Sequence, residues 1–221
     1  MFSAVADRYD RANRLLSMGD DVRWRRQAVR MLNLPKGAKV LDVCAGTGDL
    51  TETLAKSGLR STGADFCAPM IGHAVSKRDR LAASRKPEGY LVADAQCLPF
   101  PQGHFDAATV SFGIRNVEDP VQGLREMGRV VAPGGKVLVL EFAKPRIPLL
   151  GSAYLFYFRK ILPRLGAWIS GGQLGPYTYL PDSVMRFPER GEFTALMERA
   201  GLEKVTMKLL TGGIAALYLG H

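Results

Sequence analysis

Residues Val40-Leu41-Asp42-Val43-Cys44-Ala45-Gly46-Thr47-Gly48-Asp49 form a short apolar strand that turns on two glycines into a helix-forming stretch. Such a unit belongs to α/β folds, where it cradles a nucleotide cofactor. Gly46 and Gly48 let the backbone turn tightly and approach a ligand, while the N–H groups opening the next helix, from about Asp49, leave a partly positive end. A ligand carrying a carboxylate or phosphate suits that end. A plain strand-to-helix connection would use the same glycines, so the loop needs support from the rest of the chain.

The spacing selects among ligands. A dinucleotide fingerprint reads G-x-G-x-x-G, whereas this loop is Ala45-Gly46-Thr47-Gly48 with Asp42 before it and Asp49 after it. Two carboxylates beside the loop repel a pyrophosphate and suit a cationic amine. S-adenosylmethionine presents an amine, a sulfonium and a carboxylate together. A second strand over 59–65 ends in Asp65, placed as a ribose-binding carboxylate would be. A third, Gly89–Ala93, ends at Asp94-Ala95, where a side-chain acceptor meets an adenine amino group and apolar neighbours cover the ring.

Strands at 38–44, 59–65, 89–93, 105–111 and 136–142 alternate with helices at 48–57, 69–82 and 120–131, which implies a doubly wound, mostly parallel sheet. A last helix over 186–201 precedes strands at 202–210 and 213–219, which pair through Thr211-Gly212-Gly213 as an antiparallel edge addition. At 221 residues, with 47% hydrophobic and 23% charged residues, the chain fits one domain. Its net charge of +9 suits nucleic acid or anionic lipid and equally a solubilising excess. Cys44, Cys67 and Cys97 lack C-x-x-C spacing and read as small apolar packers in a reducing compartment. No signal-peptide core and no membrane-spanning run are evident, so a cytoplasmic location is expected, with no metal site.

Two regions stand outside the alternation. Residues 1–34 read as an N-terminal helical cap, with Arg23, Arg25, Arg26 and Arg30 around Trp24 either on a solvated helix with an aromatic anchor or in a membrane or lid role. The insertion at 145–181 is apolar and aromatic, with a greasy stretch over 149–158 followed by Arg159, Lys160 and Arg164 and apolar residues at helical spacing at 150, 154, 157, 158, 161 and 165. It covers an apolar substrate, rests on a bilayer, or packs on the domain.

The chain resembles the class I S-adenosylmethionine-dependent methyltransferases, and within them the ubiquinone/menaquinone biosynthesis C-methyltransferases. The resemblance spans nearly all the sequence and is most specific in Tyr9–Ser17 through Trp24, Leu41–Thr51, Leu98-Pro99-Phe100-Pro101, Ser111-Phe112-Gly113-Ile114-Arg115-Asn116-Val117, and Arg129–Gly135 with Glu141-Phe142. Ala12 and Asp21 stand where the first family signature carries Met and His, and Ala132 and Ala143 where the second carries Lys and Ser. The resemblance implies a Rossmann-like seven-stranded fold and cofactor contacts at Thr47, Asp65, Asp94, Ala95 and Ser111, to which the loop itself adds Asp42, Gly46 and Gly48. It places Arg115 and Asn116 by the transferred methyl and Tyr9, Tyr154 and Tyr177 on the substrate. That substrate is a polyprenyl hydroquinol, either a demethylmenaquinol or a benzoquinol, with reversible membrane-surface contact and a possible homo-oligomer. A nucleic-acid methyltransferase is disfavoured by Ser111-Phe112-Gly113-Ile114 in place of an Asn/Asp-Pro-Pro-aromatic motif, and a non-catalytic adenosylmethionine-binding membrane scaffold has no use for Arg115-Asn116.

Overall fold

The computed structural model describes Ser17, residues 19–145 and residues 183–221. Tyr9, Tyr154, Tyr177 and nearly all of the expected 145–181 insertion lie outside the described residues. Within them the chain runs α1 (Asp20–Leu32), β1 (Lys39–Val43), α2 (Asp49–Lys56), β2 (Arg60–Asp65), α3 (Ala68–Asp79), β3 (Gly89–Val92), β4 (Phe105–Ser111), α4 (Pro120–Val130), β5 (Val131–Phe142), α5 (Gly191–Arg199), β6 (Thr206–Leu210) and β7 (Ala215–Gly220).

The seven strands form one sheet in the order β3-β2-β1-β4-β5-β7-β6. β1 to β5 pair in parallel, and β7 and β6 close the edge antiparallel, with Leu140 opposite Leu217 and Leu217 opposite Lys208. Strand order reverses between β1 and β4, which creates a crevice at their carboxyl ends. One face buries Trp24, Ala28 and Leu32 of α1 with Leu50 and Leu54 of α2. The other buries Leu124, Met127 and Val130 of α4 with Phe193 and Met197 of α5. Parallel strands covered on both faces explain why β1 and β5 read as nearly continuous apolar runs.

Two boundaries differ from the sequence expectation for visible reasons. β5 starts at Val131 rather than Lys136, because Val131 already pairs with Phe105 and the Ala132–Gly135 stretch bulges before pairing resumes at Lys136. A Cβ on Gly135 would stand 2.6 Å from the Asp106 carbonyl, so that bulge requires glycine. The last helix runs over 191–199 rather than 186–201, because Pro188 and the left-handed Arg190 (φ 57°) interrupt it. The expected hairpin does close through 211–213, with φ of 64° at Gly212 and 90° at Gly213.

The aromatic residue of α1 is an anchor. Asp20 and Asp21 complement its amino end and Arg30 its carboxyl end. Trp24 is buried, lies tilted at 6.0 Å from Phe112 and edge-to-face at 6.3 Å from Phe142, and donates from Nε1 to Thr211 Oγ1 at 2.8 Å. The cap helix is thereby fastened to the strand ends that border the crevice.

Candidate active site

A cavity of about 320 Å³ opens at the carboxyl ends of β1 to β4, on the switch point of the sheet. Each strand end contributes in turn: Cys44 and Gly46 after β1, Asp65 to Cys67 after β2, Ala93 to Gln96 after β3, and Ser111 to Gly113 with Asn116 after β4. Of the residues singled out from sequence, Gly46, Asp65, Asp94, Ala95, Ser111 and Asn116 come together on this one cavity. Asp42, Thr47, Gly48 and Arg115 are not on its wall.

The glycine loop is held from below. Asp65 accepts the Gly46 N–H on Oδ2 and the Cys67 N–H on Oδ1, each at 2.8 Å, so one carboxylate ties the turn after β1 to the turn after β2. Burial raises its pKa, and these two backbone donors pull it partly back. Gly46 (φ 56°) has open space where a Cβ would project, leaving its backbone approachable from the cavity. Gly48 (φ 84°) instead faces inward, since a Cβ there would stand 2.3 Å from the Tyr90 hydroxyl oxygen. Tyr90 on β3 is the platform under the loop. Nothing in the sequence separates it from an ordinary strand tyrosine. Cys44 (φ 53°) and Phe112 (φ 57°) both adopt the left-handed region at cavity-lining strand ends, where strained backbone commonly serves a site.

Three of the expected contacts stand behind the cavity wall. Thr47 is buried, and Gly48 caps α2 over Tyr90. Asp42 is 1% exposed, with Thr51 Oγ1 donating to Oδ2 at 2.6 Å and Thr109 Oγ1 to Oδ1 at 3.0 Å. Its carboxyl group joins the loop helix to the centre of the sheet. Burial lifts its pKa from 3.8 to about 7. The folded chain then holds a proton that the unfolded chain releases above about pH 4, so stability falls as pH rises from about 4 to 7, by up to ~1.4 kcal/mol per pH unit from this group. Asp42→Asn should flatten that part of the slope in denaturant titrations at pH 5 and pH 7.5. An unchanged difference between the two pH values would remove Asp42 as its source.

Arg115 is not a surface ion pair. Its Nη1 donates to Glu141 Oε1 at 2.7 Å and to the Phe112 carbonyl at 2.6 Å, its Cζ lies 5.5 Å from the centre of the Phe142 ring, and both charged side chains are almost wholly buried. The pair stands directly behind the Ser111–Gly113 wall. A Cβ on Gly113 would collide with Cys44 Cβ at 2.3 Å, so glycine is needed where that wall crosses the end of β1.

Sequence reasoning also missed Phe66, 79% exposed at the cavity lip, with Met70 and Val117 beside it. An aromatic directly after a strand-ending acid was the available signal. The cysteines are not uniform packers: Cys97 is exposed, and Cys44 and Cys67 line the cavity, where burial drives the Cys44 thiol up in pKa. Asp21, at the position where the resemblance places His, is buried, accepts from Ser17 Oγ at 2.7 Å and pairs with Arg25, which reaches Asp49 Oδ2 at 2.8 Å. Lys77 Nζ meets the other Asp49 oxygen at 2.6 Å. Among the described residues no group of acids, histidines and cysteines is arranged to hold a metal ion.

The donor set fits S-adenosylmethionine. It offers a carboxylate at the end of β2, an exposed Asp94 beside the buried Ala95 after β3, an open glycine backbone, and apolar cover from Met70 and Phe66.

Solved structures with this architecture include a SAM-dependent methyltransferase from Thermotoga maritima described as a possible histamine N-methyltransferase (TM-score 0.67, 22% identity, covering 99% of this chain and 97% of that one). Another is the putative methyltransferase complexed with the Trm112 activator of Haloferax volcanii (TM-score 0.69, 16% identity, 100% and 96%). At those identities they establish the fold. Closer in sequence are the demethylmenaquinone methyltransferase of Thermus thermophilus, 46% identical over 100% of this chain and 99% of its own length, and the ubiquinone/menaquinone biosynthesis C-methyltransferase UbiE of Geobacter sp. strain M21, 45% identical over 100% and 94%. The model of the ubiE/COQ5 methyltransferase family matches residues 1–221, and the chain belongs to that family.

Proposed function

We propose that this enzyme methylates a ring carbon of a polyprenyl hydroquinol with S-adenosylmethionine, converting demethylmenaquinol to menaquinol, with the benzoquinol of ubiquinone biosynthesis as the alternative ring. The observation that carries the reading is the end-to-end likeness to relatives named for quinone C-methylation, combined with a cavity at the switch point. The relatives' names include both ring types. The demethylmenaquinone methyltransferase of Thermus thermophilus, matched along almost its whole length, favours the naphthoquinol.

In this reading Asp65 accepts from the ribose hydroxyls, Asp94 meets the adenine amino group, and Ala95 and Met70 cover the ring. Gly46 offers its backbone to the amino-acid end. Ser111 and Asn116 lie toward the reacting centre. The donor supplies an electrophilic methyl group. The chain's part is to align the ring carbon with that methyl, exclude water, and favour loss of a phenolic proton. Arg115 keeps its own proton, so it stabilises the phenolate, and Asn116 holds the ring oxygen or a water beside it. Tyr9, Tyr154 and Tyr177 remain candidates for substrate cover. The 149–169 segment, with Arg159, Lys160 and Arg164, is the candidate for reversible contact with an anionic membrane. No helix among the described residues is long and apolar enough to cross one.

A quinone ring is electron-poor and cannot attack a sulfonium methyl, whereas a hydroquinol can once it is deprotonated. Incorporation of labelled methyl into a demethylated short-chain naphthoquinone should therefore require a chemical reductant. Equal incorporation with and without reductant would overturn the hydroquinol reading, and a faster reaction with the benzoquinol analogue would reassign the ring.

A further inference from the structure

A phenolic proton must leave before the ring carbon attacks, and a guanidinium cannot take it. Among the described residues, Glu141 is a buried acceptor with an unmatched end in the right neighbourhood. Glu141, at the carboxyl end of β5, is 2% exposed. Its Oε1 accepts from Arg115 Nη1 at 2.7 Å and from the Phe142 N–H at 2.8 Å, and the Arg115 backbone N–H also pulls on the carboxylate, while Oε2 is buried with no full hydrogen bond among the described residues. Leaving a buried carboxylate oxygen unmatched is costly and calls for a reason.

Its position gives that reason. Phe112, on the cavity wall, donates its N–H to the carbonyl of Leu140, the residue before Glu141, and its own carbonyl accepts from the same Arg115 Nη1 that holds Glu141. The carboxylate is thus one residue behind the wall where Ser111, Phe112 and Asn116 meet the cavity. Arg115 uses Nη1 twice and Nε once, toward Ser183 Oγ at 3.4 Å, which leaves its Nη2 donors for a substrate oxygen or a water. Burial raises the pKa of Glu141 against the pull of Arg115, making it a better proton acceptor than an exposed glutamate. Among the described residues, the Cys44 thiol at the end of β1 and the Tyr218 phenol on β7 lie in its field, and both are pushed up and stay neutral.

We propose that Glu141 is the proton acceptor of the reaction, reached directly or through one water, with Arg115 as the residue that positions it and stabilises the phenolate. The inference rests on the hydroquinol reading above. The phenolic O–H bond breaks and its proton goes to Oε2, or to a water that gives one of its own protons to Oε2. The ring carbon then forms its bond to the methyl as the sulfur–methyl bond breaks, leaving a ring ketone with methyl and hydrogen on one carbon. Loss of that hydrogen as a proton to solvent, with return of the Glu141 proton to the ketone oxygen, restores the aromatic ring and the carboxylate. One proton is released overall.

Glu141→Gln tests this in two ways. With cofactor, its kcat should fall about 10²-fold or more at pH 7 and then rise with pH as solvent hydroxide replaces the lost base, while adenosylmethionine affinity measured by calorimetry stays put. Without cofactor, a short-chain naphthol that cannot be oxidised to a quinone reports protonation by its absorbance. It should bind the wild type partly as naphtholate and the variant as naphthol. A folded Gln variant that keeps both the naphtholate band and the wild-type pH profile overturns the assignment. Should Gln prevent folding, Glu141→Asp carries the test: it should keep the band, and its loss from a folded Asp variant also overturns the proposal. If the wild type binds naphtholate but methylates no hydroquinol, the hydroquinol reading fails while the proton acceptor stands.

Discussion

Arg115→Gln should lower kcat by about 10²-fold or more while leaving cofactor affinity nearly unchanged, as expected for a donor that acts chiefly on charge developing in the transition state. Gln keeps hydrogen bonding but removes the fixed positive charge. The variant also leaves Glu141 buried without its partner, and breaking a buried pair from one side costs about 3–5 kcal/mol. Its melting temperature must therefore be measured beside its rate, and Arg115→Lys provides the control, since an ammonium restores the charge without the planar fork. If Lys recovers stability but little of kcat, the guanidinium geometry matters to the reaction as well as to the core. An undiminished rate in folded Arg115→Gln would take this residue out of the chemistry.

The sequence made the cavity legible because its walls are strand ends. An acid or small residue immediately after a β-run faces the carboxyl edge of a parallel sheet whatever the rest of the chain does, so local order alone pointed to Gly46, Asp65, Asp94 and Ala95, while Ser111, on the same wall, came from the resemblance. Asp42 was the harder residue to place because β1 is buried on both faces. With no alternation of polar and apolar residues, its side chain could point to ligand or core, and the partners that decide it, Thr51 and Thr109, come from α2 and β4. The Arg115–Glu141 pair was hidden for a similar reason: both residues stood in quoted motifs, yet only the β4–β5 register brings them together. Asp21 shows the converse. It departs from the family pattern, and its burial with Arg25 and the onward contact to Asp49 make it part of the fastening between the cap helix and the cofactor loop.

That fastening bears on the second large effect. Asp65→Ala should weaken adenosylmethionine binding by about 1.5–3 kcal/mol for each charged hydrogen bond lost to the ribose, roughly ten- to hundredfold per bond. The structure adds a further cost, because the same carboxylate holds the Gly46 and Cys67 N–H groups. Removing it lets the glycine turn relax away from the end of β2, so affinity should fall beyond the direct contribution while the sheet and the Asp42 anchor keep the fold. Asp65→Asn separates the two effects. Its carbonyl oxygen can accept one of those N–H groups, but its amide nitrogen would face the other donor, so it should retain the side-chain volume and still bind poorly. Calorimetric titration of both variants, with circular dichroism to establish folding, measures this. Wild-type affinity in a folded Asp65→Ala protein would show that the end of β2 does not meet the ribose.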